Sequence, residues 1–360
     1  MTSQKLRLGL HTGYWSSGPP AGAADAVRWA DAHGLDSVWT AEAYGSDAFT
    51  PLAWWGSGTT RVRLATGVAQ LSARTPTATA MAALTLDHLS GGRFVLGLGA
   101  SGPQVVEGWY GQPYARPLAR TREYVAIVRD VLRREAPVTA PGPAYRLPLP
   151  ASSPGATGEG RALRSTVHPL RADLPIHLAA QGPRNTELAA EIADGWLPAF
   201  LSPALDDEAR GLLAAGFARR SERLRPAEEF EVCATVPLAL AESVEAGIDL
   251  LRGHVALYAG GMGSATTNFH HEALRRVGAR VGPGVDDALA EVAERYRSGD
   301  RAGAAAAVPA DLVREIALVG TPADVVAQLD RWRDTCVTTL VLQTDPRVVP
   351  LLEPVLAAPR

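Results

Sequence analysis

Short apolar runs alternate with longer stretches of helical periodicity along most of the chain. Runs at 6–11, 36–40, 62–69, 94–98, 175–180, 196–200, 230–236 and 338–343 are too short for helices and read as strands. Between them the apolar positions return with helical period. Ala23, Val27 and Ala30 share one face of a helix that Gly34 stops. Thr75-Pro76 supplies a cap and a first-turn proline to a helix with Ala82, Leu86 and Leu89 turned inward. Leu118, Val125, Val128 and Leu132 mark another helix, and residues 184–193 a further one. Thr321-Pro322 opens a helix that buries Val325, Leu329 and Trp332.

Two stretches break this rhythm. Residues 136–174 are rich in Pro, Gly, Ser and Ala and read as an inserted surface loop, with a short hairpin around 145–149. Residues 241–317 are helical, Gly-interrupted and without strand period, which suggests an excursion before the last strand. Eight strands each followed by helical pattern predict an α/β fold, a (β/α)8 TIM barrel, over a doubly wound open sheet. The whole of 1–360 then forms a single domain carrying insertions at about 136–174 and 241–317.

With 360 residues and 46% hydrophobic content the chain can bury a large core. A net charge of −3 gives no electrostatic case for nucleic acid or an anionic membrane surface. The segment from Met1 to His11 has no apolar signal core, and no run is long enough to span a bilayer. Cys233 and Cys336, in apolar runs, read as core residues of a reduced, cytoplasmic protein. No His-x-x-x-His or Cys-x-x-Cys occurs, so no metal site is expected.

The stretch Ser90-Gly91-Gly92-Arg93-Phe94-Val95-Leu96-Gly97-Leu98-Gly99-Ala100-Ser101-Gly102 reads as a helix end, a buried strand and a bare loop. Gly97, Gly99 and Gly102 satisfy G-x-G-x-x-G. A dinucleotide fingerprint, however, sits on the first strand and opens directly into a helix. Here Pro103, Gly108, Pro113 and Pro117 are expected to delay the next helix until about Leu118. The loop therefore reads as the carboxyl end of a barrel strand, where barrel enzymes place their chemistry. Other strand ends fall at His11 to Tyr14, Ala41 to Tyr44, Val68 to Gln70, Gln181 to Arg184 and Ala199.

Several blocks keep a common order: Gly34-Leu35-Asp36-Ser37-Val38-Trp39, Gly67-Val68, Arg74-Thr75-Pro76, the 90–102 block, Pro175-Ile176-His177-Leu178-Ala179-Ala180-Gln181-Gly182-Pro183 and Glu191-Ile192-Ala193-Asp194-Gly195. Together they resemble the luciferase-like flavin and deazaflavin barrel superfamily, in its coenzyme F420-dependent branch near methylenetetrahydromethanopterin reductase. The resemblance implies a cis Gly67–Val68 peptide against the deazaflavin ring, with Ala69 and Gln70 beside it. It also implies a phosphate-bearing tail held by Ala100, Ser101 and Gly102 and by Gln181, Gly182 and Arg184. Relatives often carry Asp-His after the second strand; this chain reads Glu42-Ala43 there, so an imidazole proton donor is missing.

That departure favours reduction of an activated C=C or C=N bond over alcohol oxidation, which needs a base for the hydroxyl proton. Glu42, Tyr44 and Glu107 are the candidate proton carriers. His11, Trp109 and Ala199 are candidates for the substrate wall, although His11 and Trp109 read equally well as packing residues. His177 reads as packing or as a proton carrier. The resulting expectation is a hydride-transferring F420-dependent oxidoreductase acting on a small molecule, a cytoplasmic homodimer. The alternatives are an FMN-dependent monooxygenase on the same fold, a hydrolase using Glu42 and Glu107 as paired carboxylates, and a non-catalytic flavin-binding protein.

Overall fold

The computed structural model describes residues 6–264 and 267–358; Met1–Lys5, the start of the segment read for a signal core, lie outside it. Eight parallel strands close on themselves: β1 (Arg7–His11), β2 (Ser37–Thr40), β3 (Arg63–Thr66), β4 (Phe94–Gly99), β5 (Ile176–Ala179), β6 (Gly195–Leu197), β7 (Glu231–Leu240) and β8 (Thr339–Gln343). Each pairs with the next, and β8 returns to β1 with Gly9 opposite Val341 and His11 opposite Gln343. The barrel thus has the order that the alternating pattern predicts.

The apolar runs arise because strand side chains alternate between two dry environments. Leu8, Leu10, Val38, Leu64, Leu96, Ile176 and Leu340 join the large core between strands and helices. Trp39, Ala65, Val95, Leu197, Cys233 and Val341 fill the barrel interior. Gly97 sits in that inner layer. A Cβ there would stand 1.8 Å from the Thr66 carbonyl oxygen, so this glycine serves close strand packing.

Several boundaries differ from expectation. The predicted third strand stops at Thr66; Gly67–Val68 is cis, and Ala69–Gln70 pairs separately with Leu98 and Gly99 of β4. A short helix, Pro103–Gly108, follows Gly102 at once, and the next begins at Pro117. Both prolines occupy first-turn positions, where the missing N–H costs nothing, so they start helices that they were expected to delay. Leu89, predicted inward, is exposed. Asp87 takes the buried position instead, because Arg171 from the 136–174 segment reaches in to pair with it. That segment carries only the small hairpin of Ala140–Pro141 against Arg146–Leu147.

The excursion after β7 is helical, with Val244–Ala256, a wide π turn Leu257–Gly261, Phe269–Val281, Val285–Arg297, Arg301–Ala307 and Ala310–Ile316. A further strand, Leu318–Gly320, then lengthens the sheet beside Leu238–Leu240. Its three residues were hidden in sequence because they continue the apolar end of the preceding helix.

Candidate active site

At the carboxyl ends of the strands lies a cleft of about 410 Å³. It receives eleven of the seventeen residues singled out in the sequence: His11, Glu42, Tyr44, Gly67, Val68, Gln70, Ala100, Ser101, Gly102, Gln181 and Ala199. The other six do not line it. His177 is buried inside the barrel beside Glu231. Ala69 points outward into the strand–helix core, because one residue along a strand reverses the face. Glu107 and Trp109 lie exposed on and just beyond the 103–108 helix, where a Glu107 oxygen accepts the Tyr114 N–H at 3.2 Å. Arg184 is exposed, and Gly182 faces an adjoining hollow with Thr186 and Arg276.

Glu42 is buried and its carboxylate is fully engaged. The Ala48 and Gln70 amides donate at 3.1 and 2.7 Å, and Arg74 Nη1 reaches both oxygens at 2.8 and 2.9 Å. It accordingly knits β2, the Gly67–Gln70 turn and Arg74 together, at the position where a proton carrier was expected. Tyr44 stands exposed at the rim.

Gln70 donates its side-chain amide to the Glu42 carbonyl at 3.0 Å, while its Oε1 is buried without a partner. Beside the Gly67–Val68 floor there is thus an acceptor waiting for a donor. Ser101 and Phe200, both on the cleft wall, adopt positive φ angles of 60° and 54°, backbone states that non-glycine residues hold only when their surroundings impose them.

His11 ends β1 inside the mouth. Its Nδ1 accepts the Gly13 N–H at 3.0 Å. Burial lowers its pKa to about 4, against a smaller opposing pull from the Gly67 backbone, with His254 adding to the shift.

The residues missed in sequence include a group from the helical excursion. His254, Tyr258, Asn268 and His270 all line the cleft. Burial lowers His254 and His270 to about 4 and pushes the Tyr258 hydroxyl well above its usual value. Their rings pack together: Tyr258 lies 4.8 Å from both histidines, and His270 stands edge-on to Phe200 at 6.1 Å. Clustered His and Tyr at 254–271 was the available signal, but a helical segment without strand-end register gave no way to aim it.

The cleft can accept a flat, partly polar ring. Its floor is the Gly67–Val68 peptide, the orphaned Gln70 oxygen calls for a ring N–H, and the lining is largely apolar. At the neighbouring hollow, helix Pro183–Ile192 presents its N-terminus near Gly182 and Arg276, which suits an anionic tail.

The luciferase-like monooxygenase family model matches residues 2–339. A Mycobacterium tuberculosis protein provisionally named a coenzyme F420-dependent oxidoreductase is 53% identical over 94% of each chain. The 5,10-methylenetetrahydromethanopterin reductase of Methanolobus tindarius is 26% identical over 90% of each. The solved coenzyme F420-dependent tetrahydromethanopterin reductase of Methanopyrus kandleri superposes with a TM-score of 0.76 at 21% identity, covering 98% of both chains. With the family pattern extending over nearly the entire barrel, this chain belongs to the luciferase-like monooxygenase family.

Proposed function

We propose that the protein is a coenzyme F420-dependent oxidoreductase that passes a hydride between the deazaflavin and a small organic substrate, in the direction of reducing an activated C=C or C=N bond. The cofactor assignment rests on the 53% identical relative. The choice of reduction rests on one observation: among the described residues the lining holds no free base suited to neutral pH. Glu42 is consumed by four hydrogen bonds, and His11, His254 and His270 are poor bases with pKa near 4.

When bound, the deazaflavin supplies two-electron hydride chemistry. Gly67, Val68 and Gln70 would hold its ring, with Ala100, Ser101 and Gly102 alongside. Gln181, Gly182 and Arg276 would hold its anionic tail. His11 lines the mouth beside this ring site, and Glu42 fixes the turn that carries Gln70. A homodimer in the cytoplasm belongs to the same reading, on family resemblance, and light scattering checks the dimer.

The test is a fluorescence titration with F420 and FMN, followed by turnover of reduced F420 with and without an acceptor. Tight F420 binding and acceptor-dependent, oxygen-independent consumption are expected. Tight FMN binding with oxygen-dependent product formation and no F420 affinity would replace this reading with the monooxygenase one. In the same assay Glu42→Gln is expected to weaken F420 binding about tenfold while leaving the shape of the pH–rate profile unchanged.

A further inference from the structure

Among the described residues the cleft lining contains no lysine, arginine or aspartate, and its single carboxylate, Glu42, is neutralised from behind by Arg74. Whatever sits beside the cofactor therefore meets a wall without net charge. A phosphate or carboxylate on that molecule would lose its hydration and gain no counter-ion.

Among the polar groups on this wall, His254, Tyr258 and His270 pack ring against ring. The His270 Nδ1 is buried with no partner, so a ring nitrogen is left for a ligand. The surrounding chain is built to hold these rings. Gly260 and Gly261 let the wide turn press on Tyr296, where a Cβ would come within 2.5 and 2.3 Å of its side chain. Asn268 donates to the Tyr258 and Ala259 carbonyls at 3.0 and 3.1 Å. Its oxygen accepts the His270 and His271 amides at 3.0 Å, capping the 269–281 helix. His271 closes the loop by bonding Ala259 O at 3.0 Å. One asparagine thus ties the turn bearing Tyr258 to the helix bearing His270. A wide turn inside a helical run is a frequent mark of a functional site.

We propose that His254, Tyr258 and His270 form an uncharged hydrogen-bonding pole for the carbonyl oxygen of the substrate, and that the substrate is an uncharged α,β-unsaturated carbonyl compound. This deepens the reductase reading and rests on it. The hydride adds to the β-carbon with its electron pair. The C=C π pair moves between the α-carbon and the carbonyl carbon, and the C=O π pair moves onto oxygen, giving an enolate. The pole's O–H and N–H donors hold that oxygen where its charge develops. A proton from water then adds to the α-carbon, the C=O re-forms, and the cofactor leaves oxidised. Asn268 is a positioning residue, since it acts through the turn and the helix it joins.

The probe pair is benzylideneacetone, an uncharged enone, and cinnamate, a carboxylate of similar size. Binding of each to the full-length protein is followed by calorimetry, with F420 affinity measured separately by fluorescence. The enone is expected to bind at least about tenfold tighter than cinnamate, and Tyr258→Phe with His270→Phe to remove about tenfold of that affinity. F420 affinity and melting temperature should stay unchanged in the variant. With reduced F420 the saturated ketone is the expected product. Equal or tighter binding of cinnamate, or unchanged enone affinity in the folded double variant, would overturn the pole. Absence of F420 binding with the enone preference intact would instead sink the cofactor reading, because the binding test requires no cofactor.

Discussion

The two ends of this barrel handle buried polarity in opposite ways. At the amino end, charges are matched. Arg7 and Arg63 converge on Glu231 at 2.5 and 2.9 Å, Arg63 also holds Asp36 at 2.5 Å, and His177 Nε2 lies 3.3 Å from Glu231 at ion-pair range without hydrogen-bond alignment. Burial alone would raise the Glu231 carboxyl, but His177 and the two guanidiniums outweigh it and hold it far below the usual carboxylate range. At the carboxyl end the Glu42–Arg74 ion pair stands beside neutral groups, of which Gln70 Oε1 and His270 Nδ1 lack partners. Matched ions close the end opposite the cleft, although Arg7 Nε, His177 Nε2 and Thr339 Oγ1 are left without partners in its packed interior. The unpartnered atoms at the mouth differ in belonging to residues that line an open cleft, where a ligand can complete their hydrogen bonds.

Removing one partner at the closed end should have the largest effect. Glu231→Ala leaves Arg7 and Arg63 without their shared anion and is expected to cost about 3–5 kcal/mol in urea unfolding at neutral pH. A loss below about 1 kcal/mol would mean that water already screens this network. The two ends should also separate on acidification. Glu231 contributes stability that is intact above its ordinary value of 4.5 and is lost only as pH falls further below it. The mouth histidines have their pKa lowered from 6.5 to about 4, so the unfolded chain takes up protons first. Their contribution is complete above pH 6.5 and drains away between there and about pH 4. The slope is at most about 1.4 kcal/mol per histidine per pH unit, less where water reaches the ring. Urea midpoints at pH 7 and pH 5 check this, and a His254→Phe, His270→Phe variant should show the smaller difference.

A smaller effect is expected at the joint between wide turn and helix. Asn268→Ala removes the cap and the bridge, at about 1–2 kcal/mol of stability, and should weaken enone binding more than F420 binding. The smallest concerns side chains that the fold leaves outside the cleft. Trp109→Ala should change stability by less than about 0.5 kcal/mol, and with Glu107→Gln should leave F420 affinity unchanged. Loss of affinity in either variant would bring the 103–108 helix back into the site.

The barrel was legible because its cause is local and repeated. Each strand alternates between an inner and an outer dry layer, and each helix carries one apolar stripe, so Leu8, Val38, Leu96 and Leu340 announce their elements one at a time. The strand-end rule likewise led to His11, Val68, Gln70 and Ser101, all of which line the cleft. It failed at Ala69, where a single step along the strand reverses the face, and at Glu107 and Trp109, which a proline-started helix carries outward.

The sequence by itself determined the order of strands and helices, the barrel they close into, the strand ends that line the cleft and the family pattern. All of these follow from periodicity and short contiguous motifs. Only the tertiary structure decided that Glu42 is bound by Arg74, Ala48 and Gln70, and that His254, Tyr258 and His270 reach the cleft near His11 across more than two hundred residues of chain. The physical reason is that a carboxylate's state and a histidine's neighbours depend on what folding brings to them from distant segments. No local pattern encodes that pairing, because the energy that enforces it belongs to the packed barrel and not to the residues alone.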